Sequence, residues 1–202
     1  MKVAICLLLI TFGIINIGSA RTWTRSDGKT VEAEITYFTD KVAVLELSNG
    51  QEFTIPTLEL SLEDQVFLKS WEPKRPIDVP EEAVFRMGRW YLRVLDKTPG
   101  SKAAGKAEAM GGHLVRIRDQ EMNDFVFKLS DGLKIWVDGS DKEVEGLWEF
   151  SDGKQMEFKN WLKGQPDNYR RREHFLIIRM DGKWNDCWEN DSSVVGYIVE
   201  WD

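Results

Sequence analysis

Cysteine and histidine are scarce in this chain, two of each in 202 residues. Thiolate and imidazole are the donors that zinc and copper select, so a site for either metal has little support. Two cysteines also exclude a scaffold stapled by several disulfides. Basic residues are outnumbered, 27 Lys and Arg against 34 Asp and Glu, for a formal charge of −7. That balance argues against nucleic acid and anionic membrane surfaces as partners. Beyond the first 20 residues no long apolar run occurs, so no membrane span is expected. Proline is sparse, and three of its six copies fall between Trp71 and Glu82. Proline at that density disfavours helix and interior strand, and residues 71–83 read as a semi-stiff linker. Internal repeats and low-complexity tracts are lacking. So is a nucleophile paired with a base, and no enzyme is expected.

What is present begins with Met1-Lys2, an apolar run from Val3 to Ile17, and Gly18-Ser19-Ala20. A cationic start, a short apolar core and a small-residue end describe a signal peptide over 1–20, cleaved after Ala20. The expected location is secreted or periplasmic. Cys6 lies inside the apolar core, which excludes a lipoprotein signal. Cleavage removes Lys2 and no acid, so −7 becomes about −8, and Cys187 stays as the single cysteine.

Residues 21–70 read as a small all-β unit. Val31, Ala33 and Ile35 alternate with polar residues, as in a half-buried strand. Val42 to Leu47 and Phe53 to Ile55 predict two more strands, with Asn49-Gly50 as a hairpin signal between them. Ser61-Leu62-Glu63-Asp64 fits a capping box and opens a short helix through Leu68. The order Arg21-Thr22-Trp23-Thr24, Asp27-Gly28-Lys29, Ala33-Glu34, Ile55-Pro56 and Leu60-Ser61-Leu62-Glu63-Asp64 resembles the SLA-one homology domain one. That resemblance implies an SH3-like β-barrel and a bacterial-type two-module protein. The family's peptide ligand belongs to a cytoplasmic setting and is not carried over, so whether protein or peptide is the partner of this first module stays open.

Residues 84–202 read as a second, α+β domain. A strand is expected near Trp90-Tyr91-Leu92. Ser101 to Met110 predicts a helix stopped by Gly111. Asp119 caps a second helix, Gln120 to Leu129, with Met122, Phe125 and Leu129 on one face. Short strands follow, with turns at Asp152-Gly153 and Asp181-Gly182, and Val194 to Trp201 closes the sheet.

Five side-chain oxygen donors lie close together near the C-terminus: Gln165, Asp167, Glu173, Asn185 and Asp186. Three carboxylates and two amides suit a hard cation, and Ca²⁺ takes about six to eight such oxygens in a flexible shell. The apolar run Phe175-Leu176-Ile177-Ile178 separates them and predicts a strand. A hairpin at Asp181-Gly182 folds Asn185 and Asp186 back beside Glu173.

Gln165-Pro166-Asp167, Glu173 and Trp184-Asn185-Asp186 resemble, in order and spacing, the sugar site of the C-type lectin domain. Gly111-Gly112-His113-Leu114-Val115, Trp136-Val137-Asp138-Gly139, Gly146-Leu147-Trp148 and Asn160-Trp161 resemble its other landmarks. The resemblance implies a C-type lectin-like fold with two helices and short antiparallel sheets. It implies a cis bond before Pro166 and Ca²⁺ held by Gln165, Asp167, Glu173, Asn185 and Asp186. It also implies a glycan on the ion, galactose-like because Gln precedes Asp in the loop, with Tyr169 as a further contact. Ala107, Val199, Phe175 and Glu189 stand where that family has its half-cystines.

Several residues keep two readings. Tyr169 either stacks on the sugar or is a plain exposed tyrosine. Asp141 and Glu145 fit the acidic half of a second ion site, but Asn168 and His174 stand where its other acids would be. Trp184 reads as core, His113 as a packed strand residue, and Cys187 as a small buried side chain or an intermolecular bridge. Arg170-Arg171-Arg172 reads as a solvated loop or as a contact to an anionic sugar. Whole-chain readings are also two: a secreted Ca²⁺-dependent sugar-binding protein, or a scaffold whose lectin-like fold has lost its sugar.

Overall fold

The computed structural model describes residues 20–202, so the signal-peptide reading lies outside the described residues. They fall into two compact units that divide between Glu72 and Pro73. In the first, β1 (Arg21–Thr24), β2 (Thr30–Phe38), β3 (Val42–Glu46) and β4 (Glu52–Pro56) form one antiparallel sheet in chain order. Alternation drives the inner face: Ala33 and Ile35 of β2 meet Trp23, Ala43, Leu45 and Ile55 in one buried cluster. Helix α1 (Leu62–Ser70) adds Leu68 to it. Ser61 Oγ caps that helix by accepting from Asp64 N at 3.2 Å. The buried Asp64 carboxylate in turn accepts from Arg21 Nη2 at 2.7 Å and Thr24 N at 2.8 Å, tying α1 to β1.

The second unit holds β5 (Val84–Arg86), β6 (Arg89–Val94), α2 (Gly100–Ala109), β7 (His113–Leu114) and α3 (Gln120–Ser130). After them come β8 (Ile135–Ser140), β9 (Glu173–Ile178), β10 (Trp184–Trp188) and β11 (Gly196–Trp201). Its strands form one sheet in the order β10-β9-β8-β11-β6-β5, with β7 also paired to β11. The last strand returns to the first long one, Trp201 opposite Trp90 and Tyr197 opposite Val94. All pairs are antiparallel except β8 with β11, which run parallel through Ile135 and Trp136. Sequence order alone gave no sign of that parallel pair.

The Gly111-Gly112 dipeptide has a separate cause at each position. Gly111 turns the chain off α2 at φ +81°, which favours glycine. A Cβ on Gly112 would lie 2.6 Å from the Glu200 carbonyl of β11, so only glycine fits there. Asp119 Oδ1 caps α3 by accepting from Met122 N at 2.8 Å, and Met122 and Val126 then enter the core. Within the span read as linker, Val79 and Ala83 are buried in this unit's second cluster.

No disulfide braces the second unit: Cys187 is a free, buried thiol. Ala107 and Val199 are fully buried in one cluster with it, and Phe175 packs against that cluster. Phe175 is also the register partner of Cys187 across β9 and β10. Apolar packing thus fills three of the four positions, Glu189 being the exception. Trp184 is completely buried and donates Nε1–H to Asn123 Oδ1 at 2.7 Å. Trp161 and Phe158 meet its ring edge-on at 5.7 and 5.5 Å, and Trp148 meets Trp161 at 4.8 Å. Such pairs contribute about 0.5–1.5 kcal/mol each beyond their burial. The group anchors β10 directly before Asn185 and Asp186.

Candidate metal centre

Strands β9 and β10 carry Glu173 and Asp186, and the loop before β9 carries Asp167. Carboxylate oxygens of these three residues lie within 4.8 Å of one another. The hairpin sets this convergence, since Asp186 pairs with Leu176 and a bulge falls between Cys187 and Trp188. Arg179 N donates to Lys183 O at 2.9 Å and Gly182 N to Arg179 O at 3.0 Å, closing the turn expected at Asp181-Gly182. The Gln165-Pro166 peptide is cis.

The two amides do local work. Gln165 Oε1 accepts from Asp167 N at 3.1 Å, across the cis proline. Asn185 Nδ2 donates to the Asp186 carbonyl. Tyr169 is 59% exposed, beside the cluster. The Arg170 guanidinium lies 5.1 Å from the centre of its ring.

Asn168 joins the parts, and its role was not evident from the sequence. Its backbone N–H donates to Asp186 Oδ2 at 2.6 Å. Its Oδ1 accepts from Glu173 N at 3.1 Å, and its Nδ2 donates to Glu145 Oε2. The residue sits at φ 42°, in the left-handed region that asparagine tolerates better than most side chains. That tolerance, beside a proline and two acids, was the one available signal. Arg170 and Arg171 follow at φ 58° and 59°, and Tyr169 N donates to Glu173 Oε2 at 3.1 Å.

The three acids strain one another electrostatically. Asp186 is fully buried, and its Oδ1 has no hydrogen-bond partner. A buried carboxylate oxygen left unpaired costs about 1–3 kcal/mol or more. Burial raises the Glu173 carboxyl to about 7, and the charges of Asp186 and Asp167 push the same way against the Tyr169 N–H. Asp186 is raised too, by burial first and by Asp167 among the rest. A divalent cation would relieve both effects. The donor set, all oxygen, fits Ca²⁺.

The second acidic pair is met by the chain itself. His174 Nδ1 lies 3.1 Å from Asp141 Oδ1 and 3.7 Å from Glu145 Oε2. Gly146 N donates to Asp141 Oδ2 at 2.9 Å, and the Asn168 amide takes Glu145. Nitrogen donors thus face these two acids.

Two other buried acids escaped the sequence reading. Asp138 accepts from Arg116 Nε at 2.9 Å and from Ser151 N and Oγ. Glu200 accepts from Arg116 N at 2.8 Å and Arg118 Nη1 at 3.0 Å. Both bind the sheet together away from the Asp167 cluster. His113 is half-buried beside Glu200, with Nδ1 2.8 Å from the Leu114 carbonyl.

Comparison with known proteins bears on the fold of the second unit. Residues 100–198 match the lectin C-type domain family. Perlucin of Haliotis laevigata is 32% identical over 104 residues, 48% of this chain and 66% of perlucin. The galactose-specific lectin nattectin of Thalassophryne nattereri is 35% identical over 98 residues, 44% of this chain and 62% of nattectin. The chain thus spans about two thirds of these relatives or less. The human scavenger receptor C-type lectin carbohydrate-recognition domain superposes with a TM-score of 0.57 at 28% identity. That match covers 61% of this chain and 98% of the solved domain. Residues 100–198, then, match the lectin C-type domain family and share the α+β fold of its solved members.

Proposed function

We propose that this protein is a secreted, Ca²⁺-dependent carbohydrate-binding protein of galactose type, with no catalytic role. One observation carries the reading: Asp167, Glu173 and Asp186 converge, and a buried Asp186 oxygen lacks any partner. Gln165, Asp167, Glu173, Asn185 and Asp186 would hold the ion. Ca²⁺ supplies open coordination positions for two vicinal sugar hydroxyls. Each hydroxyl accepts from an amide, Gln165 or Asn185, and donates to a carboxylate, Asp167 or Glu173. The amide-before-acid order around Pro166 supports galactose, as does the similarity to a relative named for galactose. The exposed Tyr169 offers an apolar face next to the ion.

Residues 21–70 would be a separate SH3-like module for a protein or peptide partner, with 71–83 joining it to the lectin domain. Secretion rests on the charge and apolar pattern of residues 1–20. Retention on galactose resin tests the whole reading. The protein should bind the resin in millimolar Ca²⁺ and elute with EDTA. Flow-through in Ca²⁺ would leave the scaffold reading in its place.

A further inference from the structure

We propose that the sugar is anionic: a galactose-like residue carrying a sulfate or carboxylate at C6, received by Arg170, Arg171 and Arg172. This rests on the ion-and-sugar reading of the same site and narrows its ligand class. The three arginines fill the turn between Tyr169 and Glu173, and all are exposed. Among the described residues none of them meets a carboxylate within 4.0 Å. By contrast, eight of the nine other arginines do, Arg75 being the exception. The arginines of this chain are otherwise paired almost throughout, and the unpaired ones are consecutive and border the ion site.

The nearby acids meet other hydrogen-bond partners, with Glu145 Oε2 taking the Asn168 amide. Glu173 Oε2 takes the Tyr169 N–H, and Asp186 Oδ2 takes the Asn168 N–H. Three carboxylates against one dication leave −1 at the ion, and three consecutive arginines stand between two of those carboxylates in the chain. This run of three cations stands in a chain of net charge −7. A neutral galactose gives those charges no counterion, whereas a sulfate or carboxylate does. Guanidinium forks match both anions with paired N–H bonds. The Tyr169 ring lies under the Arg170 guanidinium, 5.1 Å from its centre. The ion takes the hydroxyls at C3 and C4, so the anionic group has to sit elsewhere on the ring, and C6 is free.

Titration calorimetry of the Ca²⁺-loaded protein with galactose, galactose 6-sulfate and galacturonic acid tests this. At low salt at least one anionic sugar should bind about five- to tenfold more tightly than galactose, the scale of a few exposed charge contacts. Whichever gains, the sulfate or the carboxylate, names the group. The gain should shrink at about 0.5 M salt through screening. It should vanish in the variant R170Q/R171Q/R172Q with galactose affinity kept. Equal binding of galactose and both anionic sugars by the wild type would overturn the proposal and leave the galactose reading standing. Binding of none of the three in Ca²⁺ would overturn both. Anionic sugars that bind equally well in EDTA would place the arginines outside the ion site and overturn it too.

Discussion

Asn168 donates its backbone N–H to Asp186 Oδ2 at 2.6 Å, and Asp186 Oδ1 is left buried without a partner. One oxygen fixes the carboxylate to the loop while the other stays available. With Asn168 Oδ1 also holding Glu173 N, a single residue sets the loop on the two strands. The chain therefore holds its acids together against their repulsion, and on the proposed reading a cation would relieve it.

The first expectation concerns stability. Ca²⁺ should raise the melting temperature of the protein, since it binds the folded cluster and not the dispersed acids. At about 100 times its Kd a ligand adds about 2.7 kcal/mol. Scanning calorimetry in millimolar Ca²⁺ and in EDTA measures this, and superimposed curves would remove the ion from the site.

The pH dependence follows from Glu173, whose carboxyl is raised from 4.5 to about 7 by burial and by its acidic neighbours. Between those values the ion-free folded chain holds a proton that the unfolded chain releases. In EDTA, stability from this group is fully present below 4.5 and is lost as pH rises through 7. Ca²⁺ must displace that proton, so its affinity should be flat above pH 7 and fall below it, by up to about tenfold per unit. Calcium titrations from pH 5 to 8 check the sign; affinity that improves on acidification would contradict it.

Specificity should follow the residues that flank Pro166. The double variant Q165E/D167N moves acid and amide to opposite sides of the loop. Hydrogen bonds to an equatorial diol should then be better matched than those to an axial 4-hydroxyl. A mismatched polar pair costs about 1–3 kcal/mol, or roughly ten- to a hundredfold in affinity. Competition between galactose and mannose on both proteins reads this out, and an unchanged preference would count against control by these two residues.

Reducing agent should leave the melting of residues 20–202 unchanged, because Cys187 is a buried free thiol whose ionisation burial makes unfavourable. Replacement C187A removes a small buried side chain opposite Phe175 and should cost about 1 kcal/mol. A large loss of stability in dithiothreitol would reveal a covalent partner.

The local parts of this fold were legible in the sequence. Ser61 and Asp119 cap their helices, Gly111 ends α2, and Trp184 is core, because each depends on near neighbours. Contacts across distance were not legible. The parallel pairing of Ile135 with Gly196 joins residues that periodicity cannot connect. Glu200 received no reading of its own in the closing strand and is wholly buried, since Arg116 and Arg118 reach it from another segment. Val79 and Ala83 sat in a proline-rich stretch with no periodic signal, yet they enter a core cluster. At the candidate site the three acids could be read from spacing. The joining role of Asn168 needed Glu145, Glu173 and Asp186 placed in space.

Titration of galactose into the protein in millimolar Ca²⁺, in EDTA, and into D186A in Ca²⁺ tests the central claim most directly. Wild type with Ca²⁺ should give a saturable heat at one site. Wild type in EDTA should give none. The variant, which loses the buried unpaired oxygen, should give none while keeping the fold by circular dichroism. Equal galactose binding in Ca²⁺ and EDTA, or by D186A, would contradict ion-mediated sugar binding at Asp167, Glu173 and Asp186.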